Sequence, residues 1–418
     1  MSQHYDICIQ GSGIVGRTLA LLLARERLRV ALVSTPAPES AKQDVRAYAL
    51  NAASKQLLES LRAWPDAAHA TQVLGMQVQG DAKGASQGVV NFSAAEQGVA
   101  ALAWIVDVPA LEAQLAQAVK FQPLIEVIEP TPTSTADTVS THSHAENLGI
   151  RADLTVICEG KNSATRNQLA VEFDVTPYQQ HAIAARLTGD LPHGGIARQW
   201  FTGAETQGEI LAFLPLSDGI DAESAANLAN TGQSGNSVAL VWSVSPERAK
   251  SLMALSAEDF AAAVALASGL ALGEMQLYSE RATWPLQLAR ANHWVGVDAV
   301  VGSWALAGDA AHTVHPLSGQ GLNLGLADVA ELARVVGKRE KSEYWRNVGD
   351  IKLLRRYERA RKLDVLALGT VTDGLQQLFA RGSEAEKTPW QLLRNLGMQG
   401  FEHSGVLKHW VTKRAMGL

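Results

Sequence analysis

The sequence predicts an α/β fold in three parts: a parallel-sheet module, an antiparallel-sheet module inserted into it, and a helical C-terminal region. Three observations predict it. Two strand, Gly-rich turn and helix units stand far apart, at "YDICIQGSGIVGRTLALLLARERLRVALVS" near the start and "WALAGDAAHTVHPLSGQGLNLGLADVAELARVV" from Trp304. Between them, "HAIAARLTGD", "IARQWFTG", "GEILAFLPL" and "SVALVWSVS" are short apolar and aromatic runs bounded by turn residues, the pattern of antiparallel strands. From about Leu324 onward, apolar residues recur at three- and four-residue intervals, the helical period.

Taken in order, "YDICIQ" alternates as a strand, "IVGRTLALLLARE" is apolar nearly all round one helix, and "RVALVS" is a second strand. The polar stretches 130–147 and 217–237 lack a sustained apolar period and read as surface loops without chemistry. "KLLRRYERARK" reads as the solvated face of a helix, with partner docking as the alternative.

Composition narrows the function. A chain of 418 residues with 47% hydrophobic content can build two or three packed modules. Net charge is −6 and no basic block occurs, so the electrostatic footprint of a nucleic-acid binder is missing. The two cysteines, Cys8 and Cys158, sit in apolar strand-like runs as small buried thiols, and no paired ligand spacing points to a metal. Neither a signal-peptide pattern nor an uncharged apolar stretch of about 18 residues is present. A cytoplasmic location is expected, and it leaves room for peripheral contact with the inner membrane.

The glycines carry the chemistry. Gly11 allows a tight turn, Gly13 lets the backbone approach a diphosphate, and Gly16 lets helix and strand pack closely. The helix start then offers free N–H groups and partial positive charge to the phosphates. This unit alone does not separate NAD from FAD. In the second unit Asp309 stands at a strand end, where a carboxylate can accept a ribitol or ribose hydroxyl. Gly319 and Gly321 follow, placed to offer backbone N–H groups. Two such units suggest one long cofactor held at both ends.

"GDAAHTVHPLSGQGLNLGLAD" resembles the second flavin-binding motif of the class A flavoprotein aromatic hydroxylases, and the chain is most similar to their ubiquinone-biosynthesis branch. "DVRAYALNAASKQLLESLRAW", "WPLQLARA", "RYERARKLDVLALGTVTDGLQQLF" and "LLRNLGM" extend the likeness in order along nearly the whole chain. The resemblance implies a Rossmann-like, para-hydroxybenzoate-hydroxylase-like FAD-binding domain (1–70, 101–170 and 285–340) interleaved with a β-sheet substrate domain (71–100 and 171–284), then a helical region (341–418). It implies that Gly11, Gly13 and Gly16 hold the FAD diphosphate, that Arg46, Glu159 and Gly160 contact the cofactor, and that Asp309 binds the ribitol-diphosphate region. Pro316, Gly319 and Gln320 would form the loop beside the isoalloxazine, with Gly321, Leu322 and Asn323 also at the cofactor. The implied activity is hydroxylation of a polyprenylated phenol on the way to ubiquinone: NAD(P)H reduces the flavin, O₂ adds to it, and a flavin hydroperoxide oxygenates the ring. The implied setting is a ubiquinone-biosynthesis complex or the membrane periphery. The alternatives are hydroxylation of another small aromatic compound, or a flavin-weak structural subunit of a quinone-synthesis complex.

Two departures motivate that last alternative. The family ends its second strand with an acid that takes the adenosine ribose, and this chain has Ser34. The family has an Asp-Gly motif with a following Arg, and this chain reads "LTVICEGKNSATR", with Glu159 before Gly160 and Arg166 downstream. His312 and His315 lie inside the flavin motif without a third ligand, so hydrogen bonding or packing is expected of them, with proton handling as the alternative. Trp200, Trp242, Trp284 and Trp304 are expected in the core, with one or two able to line a cavity for an aromatic ring.

Overall fold

The computed structural model describes residues 3–34, 44–80, 89–129, 150–201, 208–217, 235–314 and 320–380. Stretch 130–147 and most of 217–237 therefore lie outside the described residues, as do His315, Pro316, Gly319 and "LLRNLGM". The end of the second stretch is not loop: Asn236 is buried and Ser237 opens the strand Ser237–Val244.

Six strands form the parallel-sheet module in the order Val295–Asp298, Gly302–Leu306, Ile150–Ile157, Gln3–Gln10, Val30–Val33 and Ile125–Ile128. All neighbours run parallel except the first two. Ile7, Cys8, Ile9 and Gln10 are all buried, because both faces of the sheet are covered. The helix Ile14–Arg25 packs against the helices Val108–Lys120 and Gln320–Ser342, and the long helix Ile351–Ala380 packs on the last of these.

Nine strands form the second sheet, whose central strands are Phe173–Gly189, Ser237–Val244, Ile210–Pro215 and Ile196–Phe201. Antiparallel pairing prevails, as expected, with one exception: Gly75–Gln79 runs parallel to Ile196–Phe201 and carries Val89–Ser93 on its other side. Residue 285, where the sequence reading divides two modules, falls within the Ala282–Ala291 strand of this sheet. Ile183, Leu211 and Trp242 point to one face and pack with Leu252 and Phe260 of the helices Pro246–Met253 and Ala257–Ala267. The alternate residues point to the other face, which is thereby free to bound a site. A small sheet of Ala47–Leu50, Ala103–Asp107 and Ala70–Val73, absent from the sequence reading, is interleaved along the chain with strands of the two large ones.

The glycine loop is fixed by contact. A Cβ on Gly16 would stand 1.9 Å from the Gly11 carbonyl oxygen, and one on Gly11 would stand 2.5 Å from the Cys158 carbonyl oxygen. Gly11 also takes φ +105°, a left-handed conformation that disfavours other residues. Gly16→Ala is expected to lower stability by about 3 kcal/mol or more, since backbone on both sides must shift. Urea denaturation of the purified variant measures it, and wild-type stability would show that the loop relaxes.

Candidate functional site

A cavity of about 910 Å³ opens between the glycine loop and the free face of the nine-stranded sheet. At one end its wall is backbone and charge: Gly13, Gly160, Lys161, Arg46, Asp309 and Gly321. At the other end its floor is a row of register partners, Ala282, Ala184, Val241, Ala212, Gln199 and Val78, running across six strands. Alanine recurs in that row because a short side chain leaves depth above the sheet. Trp284 also lines the cavity, whereas Trp200, Trp242 and Trp304 are buried in the cores.

The expected site residues divide by position. Gly13, Arg46, Gly160, Asp309, Gly321 and Leu322 line this one cavity, although they come from five separate stretches of the chain. Gly11 and Gly16 lie behind the loop and shape it. A Cβ at Gly13 would meet nothing within 4 Å, so no protein contact demands glycine there. The same holds at Gly160, where only φ +78° constrains the residue. Gln320 opens the helix Gln320–Ser342.

Glu159 and Asn323 give their polar atoms to the scaffold. The Glu159 carboxylate accepts from Ser163 Oγ at 2.6 Å, Thr165 N–H at 3.0 Å and Thr165 Oγ1 at 2.8 Å. It thus caps the short helix Ala164–Gln168 together with Ser163. Asn323 donates to Ala49 O at 2.8 Å and accepts from Ser54 Oγ at 2.7 Å and Asn51 N–H at 3.0 Å, tying its helix to the small sheet. Arg166 is buried, donates to Ala310 O and Lys161 O at 3.2 and 3.0 Å, and stacks its guanidinium 3.6 Å from the Phe173 ring centroid. It braces the two turns that carry Asp309 and Lys161.

Arg46 reaches the cavity held by Asp44, with Nε to Oδ1 at 2.9 Å, and by Tyr48 Oη at 3.1 Å. Its partner Asp44 is held below the usual carboxylate range: burial pushes upward, but the Arg46 hydrogen bonds outweigh it. Asp309 is exposed to the cavity but surrounded by packed protein. That burial raises its pKa, against the pull of His312, Lys161 and Arg46. Burial also pushes the Cys8 thiol up to about 12, and raises that of Cys158; both cysteines are free.

One residue beneath the site escaped the sequence reading. Asp328 is wholly buried and accepts three times: from Gly308 N–H at 3.0 Å, His312 Nε2 at 2.6 Å and Arg361 Nε at 2.8 Å. His312 stacks on Trp294 at 4.9 Å, so its packing role is the observed one. Burial would raise the Asp328 pKa, but His312 and Arg361 overcome it and hold the group below the usual range. Among the described residues no cluster of three His, Cys, Asp or Glu is placed to hold a metal.

The sequence matches the FAD binding domain family over residues 4–368. The chain belongs to that family. Over its full length it is 31% identical to 3-demethoxyubiquinol 3-hydroxylase of Escherichia coli (strain K12), covering 100% of both chains. It is 30% identical to ubiquinone hydroxylase UbiL of Rhodospirillum rubrum, covering 99% of this chain and 89% of that one. Among solved structures, p-nitrophenol 4-monooxygenase PnpA of Pseudomonas putida DLL-E4 shares the fold with a TM-score of 0.68 at 15% identity, over 100% of this chain and 99% of that one. Members of the FAD binding domain family use FAD, and this chain is an FAD-dependent monooxygenase. The residues present fit the cofactor: open space at Gly13 for a diphosphate, an acceptor at Asp309, and cations at Arg46 and Lys161.

Two outcomes follow from this geometry. Gly13→Val is expected to fold with unchanged thermal stability and to lose most bound flavin, because its side chain occupies ligand space and not protein space; full flavin content after purification would refute the role. Asp328→Ala is expected to cost about 3–5 kcal/mol by stranding Arg361. The stability that Asp328 provides is complete above the ordinary aspartate pKa of about 4 and is lost as pH falls from there through its lower folded-state value. Denaturation curves of Asp328→Asn should be flatter with pH across that acid window than those of the wild type.

Proposed function

We propose that the chain hydroxylates a polyprenylated phenol in ubiquinone biosynthesis, using FAD, NAD(P)H and O₂. The observation that carries this reading is the continuity of the cavity, which joins the Gly13–Asp309 end to the small-residue floor of the sheet in one space. Similarity to two ubiquinone hydroxylases over the whole chain supports it.

FAD, when bound, would supply the redox chemistry by which the phenol, O₂, NAD(P)H and a proton become the ring-hydroxylated product, water and NAD(P)⁺. The chain's own residues bind, orient and exclude water. Gly11 and Gly16 fix the loop so that the backbone at Gly13 approaches the diphosphate without a side chain between them. The Asp309 carboxylate would accept a ribityl hydroxyl, while Arg46 and Lys161 would offset phosphate charge. Ala184, Ala212 and Ala282 leave depth for an aromatic ring, and Val78, Val241 and Trp284 give it apolar walls. Asp328, through the Gly308 N–H, holds the turn that presents Asp309, and so acts as a positioning residue.

Such a substrate is carried in the lipid phase, so the protein works at the membrane periphery or within a biosynthetic complex. No helix among the described residues is long and apolar enough to cross a membrane.

Purified protein is expected to show flavin absorbance, to oxidise NAD(P)H faster when a prenylated phenol is added, and to yield a product heavier by one oxygen atom in mass spectrometry. A colourless protein without NAD(P)H oxidation would overturn the reading, and stimulation by short phenols alone would replace the substrate class. Ala212→Trp, at the centre of the floor, should leave flavin content intact while raising the KM for the prenylated phenol about tenfold or more, since overpacking costs 1–3 kcal/mol.

A further inference from the structure

The second strand of the parallel sheet, Val30–Val33, is followed directly by Ser34, and the chain there is pinned on two sides. The Ser34 N–H donates to Ile128 O at 2.9 Å, and the carbonyl of Val33 accepts from Gly11 N–H at 3.0 Å. The side chain is engaged as well, with Ser12 Oγ donating to Ser34 Oγ at 2.9 Å. Ser12 stands between Gly11 and Gly13, so this bond joins the glycine loop to the carboxyl end of the neighbouring strand. In a strand-turn-helix-strand unit of this kind, that is where a carboxylate about 20 residues beyond the glycines takes the ribose hydroxyls of a dinucleotide. This chain places two neutral hydroxyls there.

We propose that the Ser12–Ser34 pair is the anchor for the adenosine ribose of FAD in this chain, a neutral anchor that holds the adenosine end loosely and lets the cofactor exchange. The proposal rests on the FAD reading above. Its chemistry is that of two hydroxyls, each with one proton and two lone pairs. With one bond between them, the Ser34 proton, one lone pair on Ser34 and two on Ser12 remain for the two vicinal ribose hydroxyls. Bonds between neutral groups are about half as strong as those to a carboxylate, so the ribose is located without being tightly retained. A carboxylate at position 34 would accept both ribose hydroxyls, and Ser12 Oγ could donate to it as it now donates to Ser34.

The test compares two flavins. Apo-protein made from the full chain is titrated with FAD and with FMN, following flavin fluorescence, for the wild type, Ser34→Glu and Ser12→Ala. FMN ends at the ribityl phosphate and does not extend to the adenosine ribose, so it reports on the rest of the site. Ser34→Glu is expected to bind FAD about ten- to a hundredfold more tightly with FMN affinity unmoved. Ser12→Ala, which removes one hydroxyl and leaves the loop's shape, is expected to weaken FAD about two- to tenfold, again with FMN unmoved, and keeps the proposal testable if Ser34→Glu does not fold. FAD affinity that is unchanged or lowered by Ser34→Glu, or FAD and FMN affinities that shift together in the variants, would overturn the proposal. Wild-type protein that takes up neither flavin would instead overturn the FAD reading and this proposal with it.

Discussion

Asp328 joins four parts of the chain in one buried cluster. Its carboxylate receives the Gly308 N–H from the turn after the Gly302–Leu306 strand, His312 from the short strand that pairs with Ala282–Ala291 in the nine-stranded sheet, and Arg361 from the long C-terminal helix. Asp328 itself belongs to the helix Gln320–Ser342 that covers the parallel sheet. A buried carboxylate with no partner would be protonated or expelled, so each of these elements depends on the others being in place. Arg361 donates to Leu324 O as well, and Tyr357 Oη donates to Leu306 O at 2.7 Å, so the C-terminal helix is fastened both to the helix Gln320–Ser342 and to the end of the Gly302–Leu306 strand. The turn carrying Asp309 is consequently among the most constrained segments that face the cavity.

The cavity follows from the way the sheets are covered. One face of the nine-stranded sheet is filled by Trp242, Leu252 and Phe260, and it closes as an ordinary apolar core. Of the alternate residues, Ala197, Leu214 and Ala239 pack with Ala47, Val73 and Ile105 of the small sheet, while others face the glycine loop and the 44–49 segment across open space. Arg186 crosses that boundary, with its Nε donating to Val45 O at 3.2 Å and its terminal nitrogen paired with Asp107. The sheet is thereby braced against the segment that carries Arg46. The space persists because its two walls are held apart by polar ties at the rim and its floor is made of residues too short to fill it.

Much of this was legible where the constraint is local. Gly11 and Gly16 could be read because a turn and a close helix-strand approach demand glycine at that spacing, and the contacts show both demands met. The antiparallel strands were legible from short apolar and aromatic runs bounded by turn residues, since each short strand must end in a turn that leads back along its neighbour. What escaped needs long-range pairing. Nothing near Gly75–Gln79 announces that it will lie parallel to Ile196–Phe201, and nothing near Asp328 announces Arg361, 33 residues away. The small sheet was missed for the same reason, its strands being four or five residues long and paired only with distant segments. Glu159 carries a local signal for its helix contacts: Ser163 and Thr165 follow it in a stretch able to start a helix.

The two departures from the family pattern differ in physical consequence. At position 159 the extra methylene lets the carboxylate reach Ser163 and Thr165, and its charge is spent on a helix start. At position 34 the acid is gone, and a hydroxyl pair closes the gap to the glycine loop. Only the second change removes a carboxylate from the ligand side of the parallel sheet; the first keeps one and turns it to the helix start. A diphosphate carries negative charge of its own, so its Coulombic repulsion at that edge is reduced even as a directional acceptor for the ribose is lost. In the proposed reading the cofactor is therefore gripped at the Asp309, Arg46 and Lys161 end, next to the space above the sheet where the ring chemistry would take place, and only lightly at its adenosine end. An enzyme that must align a ring with a flavin needs rigidity at the first of these ends and can dispense with it at the second.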